Sequence, residues 1–208
     1  MKLLIIGATG PTGRKVIESA LELGDTVTAF ARHTESLNDI NDKINIIPGD
    51  AILTADLEKA MIGQDAVIST LGRGGSIHAH NLFTRAAVSI VNSCNHTEVP
   101  RLIWLSSFGV GDTFQDATAT QKIAYRTFLR NIYANKKASE QIIHASKLNW
   151  TIVYPSALTN GSAKGKFKAD DHIKMHGIPM ISRGDVADFL CAAAHDDKWI
   201  HRNAVITD

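Results

Sequence analysis

Short runs of branched apolar residues alternate along this chain with longer stretches whose apolar positions recur every three or four residues. Residues 3–6 are apolar throughout and stop at Gly7, the pattern of a buried strand. From 11 to 23 the period becomes helical. Val16, Ala20 and Leu23 fall on one stripe with Ile17 and Leu21 beside it, and Gly24 is a natural C-terminal stop before Asp25. The same alternation predicts strands over Thr26–Ala31, 44–47, 66–70, Arg101–Leu105 and 151–154. It predicts helices over 57–62, 81–92 and 120–146, the second with an apolar face of Leu82, Ala86, Val88, Ile90 and Val91. Beyond Tyr154 the alternation weakens. Residues 159–168 are rich in Gly, Ser and Lys, and a helix over 185–195 and a short strand over 204–207 close the chain.

Strands that are apolar along their whole length must be covered on both faces. The pattern therefore predicts a Rossmann-like, doubly wound parallel α/β sheet in three α/β/α layers. A chain of 208 residues suits one domain over 1–208. Residues 155–208 are too few for a core of their own and are expected to form a substrate-side wall. Such folds bind ligands at the carboxyl ends of the strands, where strand order reverses, so the residues just after each strand carry the functional question.

Charge and composition narrow the partners. The 22 basic and 21 acidic side chains leave a net charge of +1, which gives no field to attract nucleic acid or an anionic membrane. No apolar run is long enough for a membrane span or a signal-peptide core. Cys94 and Cys191 form neither a disulfide framework nor a metal knuckle, which suits a reducing compartment. The expectation is a cytoplasmic monomer or homodimer acting on a small molecule. His78 with His80, and His172 with His176, lack the cysteines or carboxylates that would complete a metal set, so no metal is expected.

The stretch "GATGPTG", Gly7 to Gly13, lies between a predicted strand and a predicted helix, the context in which a glycine pattern indicates dinucleotide binding. Gly7 lets the chain turn sharply, Gly10 lets backbone approach a pyrophosphate, and Gly13 lets the helix pack on the sheet. Pro11 suits the first helical turn, and the hydroxyls of Thr9 and Thr12 add donors beside the open amides. At the end of the second strand, where an NAD site places a carboxylate, stands Arg32. A guanidinium attracts a 2′-phosphate, so NADP(H) is expected rather than NAD(H), with His33 and Thr34 nearby. Asp50 after the third strand is placed to meet the adenine amino group, with Ala51 beside the ring. Leu71, Gly72 and Arg73 follow the fourth strand, toward the ribose and the far half of the cofactor.

"GATGPTG", "GDAILTADLEKAMIGQDAVISTLG", "LIWLSSFGVG", "KKASEQIIHASKLNWTIVYPSALTNG" and "ISRGDVADFLCAAA" together resemble the atypical short-chain dehydrogenase/reductase family over nearly the whole chain. The resemblance is to the branch holding biliverdin reductase B / flavin reductase and the NmrA-like proteins. It implies a Rossmann fold that binds NADP(H), in a group some of whose members reduce flavins, biliverdin or quinones.

The resemblance also implies where chemistry would sit. Tyrosine-dependent members use a serine, a tyrosine and a lysine. Ser106 and Ser107 follow the fifth strand, and Tyr133 and Lys137 are four apart on one helix face. Counted back from "TIVYP", the NmrA-like register instead puts the lysine at Lys136, with Glu140 and Ser146 also in register and Ile132 at the tyrosine position. Tyr154, Pro155 and Ser156 are expected beside the cofactor. Ser107, Phe108, Pro155, Ser156, Ala157 and Leu158 would wall an acceptor pocket. Three functions follow. One is an NADPH-dependent reductase of a flavin, quinone or similar conjugated acceptor, working by orientation with Ser107 and Lys136. Another is a non-catalytic NADP(H) redox sensor of NmrA type. The third is a carbonyl reductase or epimerase-like enzyme using Tyr133 and Lys137.

Overall fold

The computed structural model describes residues 1–72 and 81–208. The chain runs β1 (Lys2–Ile6), α1 (Pro11–Glu22), β2 (Thr26–Ala31), β3 (Asn45–Pro48), α2 (Thr54–Met61) and β4 (Ala66–Ser69). It continues with α3 (Leu82–His96), β5 (Arg101–Leu105), α4 (Ala119–Thr127), α5 (Arg130–His144) and β6 (Asn149–Pro155). Short strands β7 (Ala157–Thr159), β8 (Lys168–Asp170) and β9 (Met180–Ser182) lead to α6 (Arg183–His195) and β10 (Arg202–Thr207).

Eight strands form one sheet in the order β3-β2-β1-β4-β5-β6-β10-β8, parallel except for β8, which runs antiparallel to β10. The order reverses between β1 and β4. This is the doubly wound Rossmann-like architecture that the strand and helix pattern predicts. Period-two alternation decides the layers. In β1, Leu3 and Ile5 face a core shared with α1 and α6, whereas Leu4 and Ile6 face one shared with α2, α3 and α5. All four are almost fully buried, which is why the strand reads as an unbroken apolar run.

Several local expectations give way to tertiary contacts. The expected single helix over 120–146 is two helices, α4 and α5, broken at Phe128 and Leu129. Neither proline nor glycine marks that break. No residue of α4 is fully buried, and its anchor on α5 is Tyr125, whose ring centre lies 5.0 Å from that of Tyr133. Val88 is exposed, because 100° per residue carries it off the face that Ala86, Ile90 and Val91 bury. Leu23 follows α1 as an exposed cap residue. Beyond β6, β7 and β9 pair in parallel as a separate small sheet, and no helix of the described residues is long and apolar enough to cross a membrane.

Candidate functional site

After Ile6 the chain turns at Gly7, whose φ of +79° is left-handed and natural to glycine. The Gly10 amide donates to the Gly7 carbonyl at 3.0 Å and the Arg14 amide to the Gly10 carbonyl at 2.9 Å, so backbone alone winds the turn into α1. Gly13 marks the closest approach of helix and turn, since a Cβ there would stand 2.3 Å from the Gly7 carbonyl oxygen. Pro11 takes the first helical position. No side chain caps α1 and no acidic residue lies in its first turn. The amides of Thr12 and Gly13 have no acceptor among the described residues. Two open donors at the positive end of a helix form an anion seat, and a dinucleotide pyrophosphate fits it.

This turn opens on a cleft of about 800 Å³ over the carboxyl ends of β2, β1, β4 and β5. Gly7, Thr9, Gly10, Pro11 and Thr12 line its floor. Gly13 lies behind them, holding the helix down. Arg32, Asp50 and Ala51 line one end, Leu71 and Gly72 the middle, and Ser106 and Ser107 the other end. Arg73 falls outside the described residues. Arg32 is exposed and makes no hydrogen bond or ion pair with the described residues. Arg14, in the first turn of α1, is by contrast occupied by Asp39 and by the Ser36 carbonyl, both at 2.9 Å. A lone guanidinium at the end of β2 can accept a phosphate. Asp50 receives the Ile52 amide at 3.3 Å and is the single carboxylate among the described lining residues.

At the far end α5 projects Lys136 into the wall. Its Nζ donates to Ser107 Oγ at 2.7 Å and lies 5.0 Å from the centre of the Phe83 ring. Burial pushes the Lys136 ammonium down to about 8, and nearby Glu140 pulls it back up. Burial pushes Glu140 up to about 7. The hydrogen bond from Ser106, the facing Tyr154 hydroxyl and the charge of Lys136 oppose that rise, and Asp112 adds to it. Tyr133 also lines the cleft, but its hydroxyl donates to the Phe108 carbonyl at 3.0 Å and its ring centre lies 5.0 Å from that of Tyr125. Burial raises its phenol well above the usual range, so it is not poised to ionise.

Several expected residues stand elsewhere. Lys137 is exposed and does not line the cleft. The buried face of α5 runs through Lys136, Ser139, Glu140 and Ile143, and Lys137 falls off its edge. Tyr154, Pro155 and Ser156 are buried behind the wall. The backbone at the end of β6 is already engaged, with the Phe108 amide on the Pro155 carbonyl and the Ser156 amide on the Ile206 carbonyl, both at 3.0 Å. Phe108 itself is core, and Ala157 is exposed. Leu158 does line the cleft. Sequence reasoning missed Leu82, Phe83, Leu129 and Ile132, which give the far end an apolar wall, and Arg183 at the start of α6. Only Arg183 had a local signal, the "SRGD" helix start whose Ser182 side chain caps α6 by accepting from the Asp185 amide at 3.0 Å. The His172 and His176 region is irregular, and His172 meets Asp116 at 3.1 Å.

Residues 7–197 match the NAD(P)H-binding family. Among curated relatives, the UPF0659 protein YMR090W of Saccharomyces cerevisiae is 25% identical, over 99% of this chain and 90% of its own. Among solved structures, the anaerobilin reductase ChuY of Escherichia coli O157:H7 has a TM-score of 0.82 at 23% identity, covering 99% of this chain and 96% of its own. A short-chain dehydrogenase/reductase of Veillonella parvula, solved with NADP, has a TM-score of 0.83 at 18% identity, covering 100% and 94%. These likenesses agree with the atypical short-chain dehydrogenase/reductase resemblance and with a fold that carries a nicotinamide cofactor.

Proposed function

The chain belongs to the NAD(P)H-binding family of oxidoreductase-like proteins, and on that premise we propose that it is an NADPH-dependent reductase of a small conjugated acceptor such as a flavin or quinone. One observation carries this reading. A single cleft runs from the open amides of the glycine turn to a buried lysine–serine pair inside an apolar wall. Arg32 is the group that favours NADPH over NADH, because a guanidinium attracts the 2′-phosphate and nothing else in the described chain engages it.

When bound, NADPH supplies a hydride from its nicotinamide. The chain supplies orientation and a proton. Leu82, Phe83, Leu129 and Ile132 offer an apolar surface for a flat acceptor and keep water from it. Ser107 gives its hydroxyl proton to the acceptor nitrogen or oxygen on which negative charge develops as the hydride arrives, and the Lys136 ammonium reprotonates Ser107 across their 2.7 Å hydrogen bond. Lys136 is left neutral and takes its next proton from solvent. With its ordinary value of 10.5 lowered to about 8, this ammonium surrenders a proton near neutral pH. Tyr133 acts as wall, with its hydroxyl held by the Phe108 carbonyl.

The test is NADPH oxidation with flavin mononucleotide, flavin adenine dinucleotide, naphthoquinones and biliverdin. Turnover with at least one, largely retained in Tyr133→Phe and lost about a hundredfold in Lys136→Met, supports the reading. Tight NADPH binding with no turnover across the panel would favour a redox sensor. Loss of turnover in Tyr133→Phe would return the tyrosine to the chemistry.

A further inference from the structure

Behind the cleft wall lies a second layer that the proton step above does not use. Lys136 is nearly fully buried, and within the described chain the only hydrogen bond of its ammonium is to Ser107. No carboxylate of the described residues comes within ion-pair distance of it. A buried ammonium with one hydroxyl partner is expensive to keep charged. One helical turn further along α5 stands Glu140, also buried. Ser106 Oγ donates to its Oε1. The Tyr154 hydroxyl on β6 faces it as well. Its Oε2 lies 3.3 Å from where a Cβ on Gly111 would stand, so that position leaves room for the carboxylate. Four segments thus converge to hold one buried acid near one buried base: α5, the turn after β5, β6 and the loop at Gly111.

We propose that Glu140 is a positioning residue that keeps Lys136 protonated from one helical turn behind the cleft, and that Ser106 and Tyr154 hold its carboxylate for that purpose. The attraction works at short range in a low-dielectric interior, where a counter-charge without direct contact still shifts a proton equilibrium. The groups that face Glu140 are Lys136 on its own helix, Ser106, Tyr154 and the carboxylate of Asp112. Burial and Asp112 disfavour its charge, and the other three favour it. Lys136 and Glu140 therefore titrate as a pair. The proposal rests on the reductase reading for its purpose, not for its physics.

The experiment is a pH titration of the full-length protein labelled with 15N at the lysine side chains, with Lys136→Met identifying the Lys136 signal. In Glu140→Gln the Lys136 midpoint is expected to fall by one pH unit or more. In Tyr154→Phe, which removes the hydroxyl facing the carboxylate with little change of volume, it is expected to fall by less. An unmoved midpoint in Glu140→Gln, or a raised one in Tyr154→Phe, overturns the proposal; should Glu140→Gln not fold, Tyr154→Phe decides alone. The titration needs no acceptor, so the two readings fail separately. A shifted midpoint in a protein without turnover sinks the reductase and leaves Glu140 in place. Turnover with an unmoved midpoint sinks Glu140 alone. Where turnover is present, the alkaline limb of its pH profile is expected to move down with the Lys136 midpoint, which a purely structural acid would not cause.

Discussion

Replacing Gly13 and Gly10 by alanine, one at a time, separates what the turn does for the fold from what it does for a ligand. A Cβ on Gly13 would stand 2.3 Å from the Gly7 carbonyl oxygen and 2.9 Å from the Ala8 Cα, both backbone atoms that cannot rotate away. Relief needs the start of α1 to lift by roughly an ångström. Overpacking of that kind costs roughly 1–3 kcal/mol. Alanine's better helix propensity returns up to about 1 kcal/mol. The net loss lies between about 0 and 3 kcal/mol, and its middle, about 1–2 kcal/mol, is roughly 2–8 °C in Tm for a chain of this length. Lifting α1 also carries the Thr12 and Gly13 amides away from the anion seat, so NADPH affinity falls along with stability. Gly10 differs. Its Cβ would meet only the Gly7 carbonyl, at 3.2 Å, and Gly10 lines the cleft. Gly10→Ala is expected to change stability by less than about 1 kcal/mol and to weaken NADPH roughly tenfold or more, because the methyl stands where the pyrophosphate approaches. Urea unfolding and NADPH fluorescence titration measure both quantities on the same samples. Gly13→Ala with unchanged stability would refute the packing argument. Gly10→Ala with unchanged NADPH affinity would refute the pyrophosphate seat.

Arg32→Glu is expected to invert cofactor preference, weakening NADPH at least tenfold while leaving NADH within about threefold; binding titrations with both cofactors check it. Lys136→Met combined with Glu140→Gln removes two buried charges and should leave the fold at least as stable as the wild type at neutral pH while lowering turnover about a hundredfold or more. The pH dependence gives a sharper check of the same pair. Between the ordinary 4.5 of a glutamate and about 7, the native state keeps a proton on Glu140 that the unfolded chain has lost, so stability falls as pH rises. Between about 8 and the ordinary 10.5 of a lysine, the unfolded chain holds the proton that Lys136 has lost, so stability climbs again. The wild-type stability, less that of the double variant, should pass through a minimum near pH 7–8 in urea titrations; a flat difference would contradict both burials.

How far the sequence exposes this site depends on how local each determinant is. The glycine turn, Arg32, Asp50 and Ser107 are legible because each directly follows an apolar strand, and strand ends converge at the reversal between β1 and β4. The far wall is less legible. Leu129 and Ile132 reach the cleft only because α4 and α5 break where no breaker residue stands. Lys136 and Lys137 are adjacent and chemically alike, and only the packing of α5 on α3 buries one and exposes the other. Tyr154, Pro155 and Ser156 look like site residues by analogy with the other strand ends. The loop after β5 folds over the end of β6, with the Phe108 amide on the Pro155 carbonyl, and hides them. Glu140 is visible in the sequence as a register match, whereas the role proposed for it depends on Ser106 and Tyr154 meeting it from the ends of β5 and β6.

The most direct measurement is stopped-flow observation of the nicotinamide band at 340 nm after mixing the protein–NADPH complex with flavin mononucleotide or a naphthoquinone, run in parallel with NADPH deuterated at the transferring position. The account predicts loss of the band in a single exponential phase that saturates with acceptor, slowed roughly twofold to fivefold by deuterium and about a hundredfold by Lys136→Met. A band that persists for every acceptor while NADPH stays bound would show that the cleft holds the cofactor without passing on its hydride.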